Sequence, residues 1–140
     1  MSATQGPLDT LRREIDEIDA AIHDLLMRRC EVVEQIAQVK GRNRINIRPA
    51  RETEILRRLA ERHQGRFPLP VLARIWREML SGFTQLQGPF AVAVLAPDGQ
   101  RGLLWDLARD HYGSNTPMTA VGAPMLALRA VIDGTATVAV

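Results

Sequence analysis

The chain has 140 residues, 46% of them apolar and 24% charged, with a net charge of +2. That allows one domain or slightly more, and the mix of residues is that of a soluble globular protein, not a low-complexity one. No apolar run is long enough to cross a bilayer, the N-terminus has no secretory h-region, and the lone Cys30 excludes an internal disulfide or a CxxC zinc site.

The first element is a long helix starting at Pro7, since proline is tolerated in a first turn. Its apolar positions are Leu8, Leu11, Ile15, Ile18, Ile22, Leu25, Val32, Ile36 and Val39. The steps alternate three and four, with Arg29 filling the place between Leu25 and Val32, and Gly41 is a natural stop. At 1.5 Å per residue such a helix is roughly 50 Å long, more than a small domain can cover. A second copy of the chain is the expected partner for the stripe.

The second helix is expected from Pro49, with Glu52, Ile55, Leu56 and Leu59 inward, ending at "HQG" (63–65). The third is expected from about Pro70 to "QGP" (87–89), with Leu72, Ile75, Trp76, Met79, Leu80, Phe83 and Leu86 inward. The sequence then changes character. It reads strand (90–96), loop, helix (103–112), strand (118–121), helix (124–132), strand (137–140). That βαβαβ order implies a parallel sheet.

The basic excess is mostly arginine within residues 28–77, without a run of five or six like charges. This argues against a nucleic-acid tail and leaves room for a small anion. A seam arginine such as Arg29 either serves stability, by snorkelling or pairing with a buried carboxylate, or binds an anion. Lys40 lies eleven residues on, along nearly the same face and roughly 16 Å away, and this favours the anion. Glu52 heads the inner face of the second helix, where it either serves the helix dipole or meets a ligand. Gln87 ends the inner face of the third, as a helix-end hydrogen bond or a ligand contact. Arg12 is roughly 25 Å from Arg29 along the axis, too far to share a small ligand within one chain. In an antiparallel dimer it would reach the partner's site.

The stretches "LDTLRREIDEIDAAIHDLLMRRCEVVEQIAQVK", "RPARETEILRRL" and "IWREMLSGFTQLQ", within residues 8–87, resemble the all-helical class of chorismate mutases. The resemblance implies an all-α three-helix domain (1–87) that forms an intertwined homodimer, with chorismate as substrate and no cofactor or metal. It implies Arg29 and the partner's Arg12 as carboxylate clamps, Lys40 and Gln87 on the ether oxygen, and Glu52 on the ring hydroxyl. It places Arg48 where an aspartate is expected, so that only a backbone contact to substrate survives, and Phe83 where many relatives have serine. Residues 88–140 form a short C-terminal α/β segment that resembles the opening of a prephenate dehydratase domain. It is expected to be a truncated domain or domain fragment, with a generic α/β fragment as the alternative, and no dehydratase activity is assigned to it. The protein is expected in the cytoplasm, with neither nucleic acid nor membrane as partner. The alternatives are an isochorismate pyruvate lyase, which uses a similar helical dimer, and a non-catalytic regulatory or dimerisation module.

Overall fold

A computed structural model describes residues 5–41, 47–97 and 102–140. Three helices come first: α1 (Gln5–Lys40), α2 (Pro49–Arg62) and α3 (Leu69–Gln87). A small α/β part follows: β1 (Val92–Leu95), α4 (Leu103–Tyr112), β2 (Met118–Val121), α5 (Pro124–Ile132) and β3 (Val138–Ala139). No helix among the described residues is long and apolar enough to cross a membrane.

Helix α1 begins two residues before the expected Pro7, which leaves that proline in the first turn, where its missing N–H is harmless. It ends at Gly41, whose φ of 77° is the left-handed value that favours glycine at a helix end. The stripe does not run as expected over the second half. Val33 and Ala37 are the buried residues there, while Val32, Ile36 and Val39 are exposed, Val39 by 89%. One residue is about 100° of rotation, so the covered face lies roughly that far round to one side of the expected stripe, with Arg29 at its edge. Over the first half, Leu8, Leu11, Ile15, Ile18, Ile22 and Leu25 are all exposed, between 48 and 64%. Nothing among the described residues lies over them.

Helix α2 starts at Pro49 and stops where "HQG" was expected, with the His63 N–H on the Ala60 carbonyl. Glu52, Ile55, Leu56 and Leu59 are half-buried, as the period requires.

Helix α3 has three flanks. Phe83, Trp76, Met79 and Leu80 lie on the covered side that faces α1 and α2. Ile75 and Leu86, expected inward, are each 49% exposed, because they lie about 80° or 60° round from Phe83 on a separate flank. The third flank is polar and carries Arg74, Glu78, Ser81 and Gln85, spaced by four, three and four residues. It docks on the α/β part. Arg74 pairs with Asp110, and Glu78 accepts from the Ser114 N–H at 2.9 and 3.0 Å. The hydroxyls of Ser81 and Thr116 are 2.8 Å apart, and Gln85 Nε2 donates to Thr116 Oγ1 at 3.3 Å. Gly113 makes this approach possible. Its φ is +92°, and a Cβ there would stand 2.5 Å from Ser81 Oγ.

The sheet is parallel, in the order β2-β1-β3, with Val92 paired to both Met118 and Val138. The chain steps from β1 out to β2, then back across β1 to β3. With right-handed crossovers, α4 and α5 must therefore lie on opposite faces. They do. Val92 and Val94 pack with Phe90 and Ala108 of α4, and Ala93 packs with Ala127 of α5. The central strand is buried on both faces, as a parallel strand requires. Both helices of this part have the expected bounds. The outer strands of the expected set are trimmed, β1 by two residues at its start and one at its end, and β3 to two residues.

Candidate functional site

Arg29 projects from the covered side of α1 towards α3, half-buried. Its guanidinium carbon lies 4.4 Å from the centre of the Phe83 ring, a cation–π contact. Its Nη1 is buried and has no hydrogen-bond partner among the described residues. Burial, and then the nearby charge of Arg51 on α2, lower its pKa from the usual guanidinium value. It remains a cation, because an arginine does not deprotonate in proteins. Two guanidinium groups thus approach one another beside an aromatic ring, and the inner one has an unmet donor. A buried unpaired donor is expensive, and a buried unpaired charge more so. A small anion would satisfy both.

Gln87 is one turn beyond Phe83, and its Nε2 donates to the Phe83 carbonyl at 3.2 Å. It also lines a groove with Glu34, Ala37 and Gln38 of α1, so it stands where the ends of α1 and α3 meet. Lys40 is in the last turn of α1, half-buried. Among eighteen basic residues in the sequence it is the single lysine. A chain that uses arginine everywhere else has a compact, rotatable ammonium at this one place.

Glu52 lines a cleft of about 120 Å³ between α2, α3 and α4. Its neighbours there include Arg77, His111 and Tyr112. Burial pushes its carboxyl above the ordinary value, and the Arg77 guanidinium partly offsets this. Arg77 Nη1 is 3.1 Å from His111 Nδ1. An arginine can only donate, so His111 accepts and its ring is neutral, with the proton on Nε2. Burial and the Arg77 charge hold the His111 pKa below the usual imidazole value. Burial, and then the Glu52 charge, raise that of Tyr112.

The remaining expected residues are not drawn in. Arg12 is exposed on the far half of α1 and pairs with Asp9 at 3.2 Å. The Arg48 side chain is exposed, and its carbonyl accepts the Glu52 N–H at 3.0 Å, so only its backbone takes part in the local structure. Residues 42–46 of the loop joining α1 and α2 lie outside the described residues, as do 98–101 of the expected loop before α4.

Sequence reasoning missed Arg51, Arg77 and His111. Arg51 precedes Glu52 and reads as solvent-facing, as its ion pair with Glu54 at 2.6 Å confirms. Arg77 follows the inward Trp76 and reads as a flank residue. No helical pattern could bring His111 of the α/β part to α3. Phe83 was expected inward and as an unusual residue for the family, but its contact with Arg29 was not foreseen.

The family model for chorismate mutase type II matches residues 11–88. The chain belongs to the type II chorismate mutase family. Every expected site residue from Arg12 to Gln87 falls within the match. The chain is also 30% identical over 128 residues to a bifunctional chorismate mutase/prephenate dehydratase of Pseudomonas aeruginosa, covering 85% of this chain and 34% of that protein. It is 36% identical over 102 residues to the protein of that name from Neisseria gonorrhoeae, covering 73% and 27%. It is 36% identical over 95 residues to the one from Aquifex aeolicus, covering 64% and 26%. The chain therefore spans about a third or less of the length of these relatives. The Pseudomonas similarity covers more of the chain than residues 1–88 supply, so it runs into the α/β part. Chorismate mutase family membership and the likeness of both parts to bifunctional relatives agree with the resemblance read from the sequence.

Proposed function

We propose that this chain catalyses the rearrangement of chorismate to prephenate, as a homodimer whose sites are shared between protomers. The observation that carries this is Arg29: a desolvated guanidinium with an unmet donor, beside Arg51, inside a chorismate mutase match. Chorismate is a dianion, and arginine's planar fork suits a carboxylate. The reaction is intramolecular. The ether C–O bond breaks as a C–C bond forms, and no atom, electron or proton enters from outside. The protein's work is therefore orientation and charge. Arg29, together with Arg12 of the second protomer, holds the carboxylates so that the enolpyruvyl arm folds over the ring. Negative charge grows on the ether oxygen as its bond breaks, and Lys40 and Gln87 donate to it. They bind that state better than the ground state, which is what accelerates the step. Glu52 accepts from the ring hydroxyl.

The dimer reading is supported by the exposed stripe from Leu8 to Leu25. A row of six large apolar side chains left uncovered by the described residues fits a twin helix laid against it.

The test is turnover of chorismate and isochorismate side by side. Prephenate from chorismate is the expected product, and pyruvate from isochorismate alone would replace this reading with the lyase. Arg29→Ala and Lys40→Ala should each lower kcat/KM by about 10²–10³-fold with the helical signal unchanged. Near-normal kcat/KM in either variant would remove that residue from the site.

A further inference from the structure

We propose that Arg77 is a positioning residue for Glu52, and that His111 of the α/β part holds Arg77 in that role, so that the α/β part forms one wall of the site. The Glu52 role is the one assigned above, and in that respect the inference rests on that reading.

The cleft that contains Glu52 is closed by residues from both parts of the chain. Pro49 and Glu52 come from α2, Arg77 and Leu80 from α3, and His111 and Tyr112 from α4. The charged and titratable groups in it are few. Arg77 faces Glu52 from α3, and His111 and Tyr112 face it from α4. Ile47, Phe90 and Val138 add apolar surface, and Ser81 and Thr84 of α3 complete the lining with uncharged hydroxyls. Arg51, next to Glu52 on its own helix, is engaged by Glu54.

Two arginines of α3 reach α4, and they are treated differently. Arg74 meets the carboxylate of Asp110, which cancels its charge at the interface. Arg77, one turn on, meets the neutral Nδ1 of His111. Among the described residues it makes no ion pair. A neutral acceptor fixes the direction of a guanidinium without cancelling its charge. The charge of Arg77 is left to act into the cleft, on Glu52. If α3 needed Arg77 only for docking, a second carboxylate would do it better. The T-shaped contact of His111 with Tyr112, 4.7 Å between ring centres, fixes the imidazole in turn.

An acceptor for the substrate hydroxyl must be ionised. Burial opposes that at Glu52, and Arg77 supports it. The consequence is a carboxylate whose protonation is set partly by the packing of the α/β part on α3.

The experiment follows the Glu52 carboxyl directly, by carbon-13 NMR titration of the full-length protein, with the resonance assigned from Glu52→Gln. Wild type is compared with Arg77→Gln, His111→Phe and His111→Asn, and the pH profile of kcat/KM for chorismate is taken in parallel. Loss of the Arg77 charge should move the Glu52 midpoint upward. His111→Phe, which removes the acceptor and keeps a ring, should move it the same way. His111→Asn, whose side-chain oxygen can accept from Arg77, should restore it. The acidic limb of kcat/KM should follow, with a loss of about tenfold in the first two variants from misplaced orientation. An unmoved Glu52 midpoint in both Arg77→Gln and His111→Phe overturns the proposal, even if activity falls, because a merely structural loss would leave the titration alone. Should Arg77→Gln not fold, the two His111 variants decide by themselves. A moving midpoint in a protein that does not turn over chorismate would sink the proposed function and leave the placement of Arg77 standing. An unmoved midpoint in an active enzyme would do the reverse.

Discussion

Arg29 and His111 show two ways in which a partly desolvated basic group is kept. Arg29 retains its charge, because nothing in reach of pH can remove its proton, and it rests on the Phe83 face instead of a carboxylate. Such a contact contributes roughly 0.5–2 kcal/mol, less than a desolvated charge costs, and in the proposed function a substrate carboxylate supplies the balance. His111 takes the other course and gives up its proton to become an acceptor for Arg77. Its folded pKa is below the usual imidazole value, so the unfolded chain binds the proton first as pH falls. Stability that is complete at neutral pH should therefore decline as pH drops through about 6.5. Glu52 has the opposite sign. Its folded pKa is raised, so its protonation favours the folded state as pH falls from that value towards the ordinary carboxyl range. Urea denaturation across mildly acidic pH should show a loss of stability in wild type that His111→Asn lacks, and the same slope in both proteins would exclude His111 as its source.

At the scale of elements, α3 carries most of the architecture. One flank meets α1 and α2, and the polar flank meets α4 and the loop after it through Glu78, Ser81 and Gln85. That loop can approach only because Gly113 has no side chain. Gly113→Ala combines a left-handed φ with a Cβ placed 2.5 Å from Ser81 Oγ and 2.6 Å from Ser81 Cβ. It should destabilise by on the order of 1–3 kcal/mol for the backbone alone, and more for the clash. Ser81→Gly added to it should recover the clash and not the backbone part, read as a partial return of the urea midpoint. The bounds of α2, α4 and α5 were legible in the sequence, because a proline starts α2 and α5 and glycines flank α4. That the strands are parallel was legible from the alternation of strands and helices, whereas their order across the sheet, β2-β1-β3, was not. The docking face of α3 was not. Arg74, Glu78, Ser81 and Gln85 form a polar stripe, and a polar stripe reads as solvent unless its partner is known. Arg29, Lys40, Glu52 and Gln87 were legible as charges or amides at odds with an apolar period. Arg51, Arg77 and His111 broke no pattern, and their importance comes from neighbours on other elements. Ile75 and Leu86 were misplaced because the apolar part of α3 is wider than the side its own chain covers.

At the scale of the whole molecule, Arg12 and Arg29 cannot share a ligand within one chain, since seventeen residues of helix separate them by roughly 25 Å. In a two-fold dimer with shared sites, Arg12→Ala and Arg29→Ala are separately inactive. Their mixed dimer has one site with both lesions and one with neither. Co-refolding equal amounts should restore about a quarter of wild-type activity, since half of the dimers are mixed under random isologous pairing. A dead mixture, with exchange confirmed by a tag, would overturn the shared site. Sedimentation at micromolar concentration that gave a folded monomer would do so sooner. The polar flank of α3 has a last consequence. The buried apolar clusters lie on the two faces of the sheet, with Ile47 of the helical part packed against one of them, and the two parts hold α3 in common, so melting either would strip cover from the other's helix. The two parts are thereby bound into a single cooperative unit, so heat should be absorbed in one transition, where two cores joined by a linker would give two.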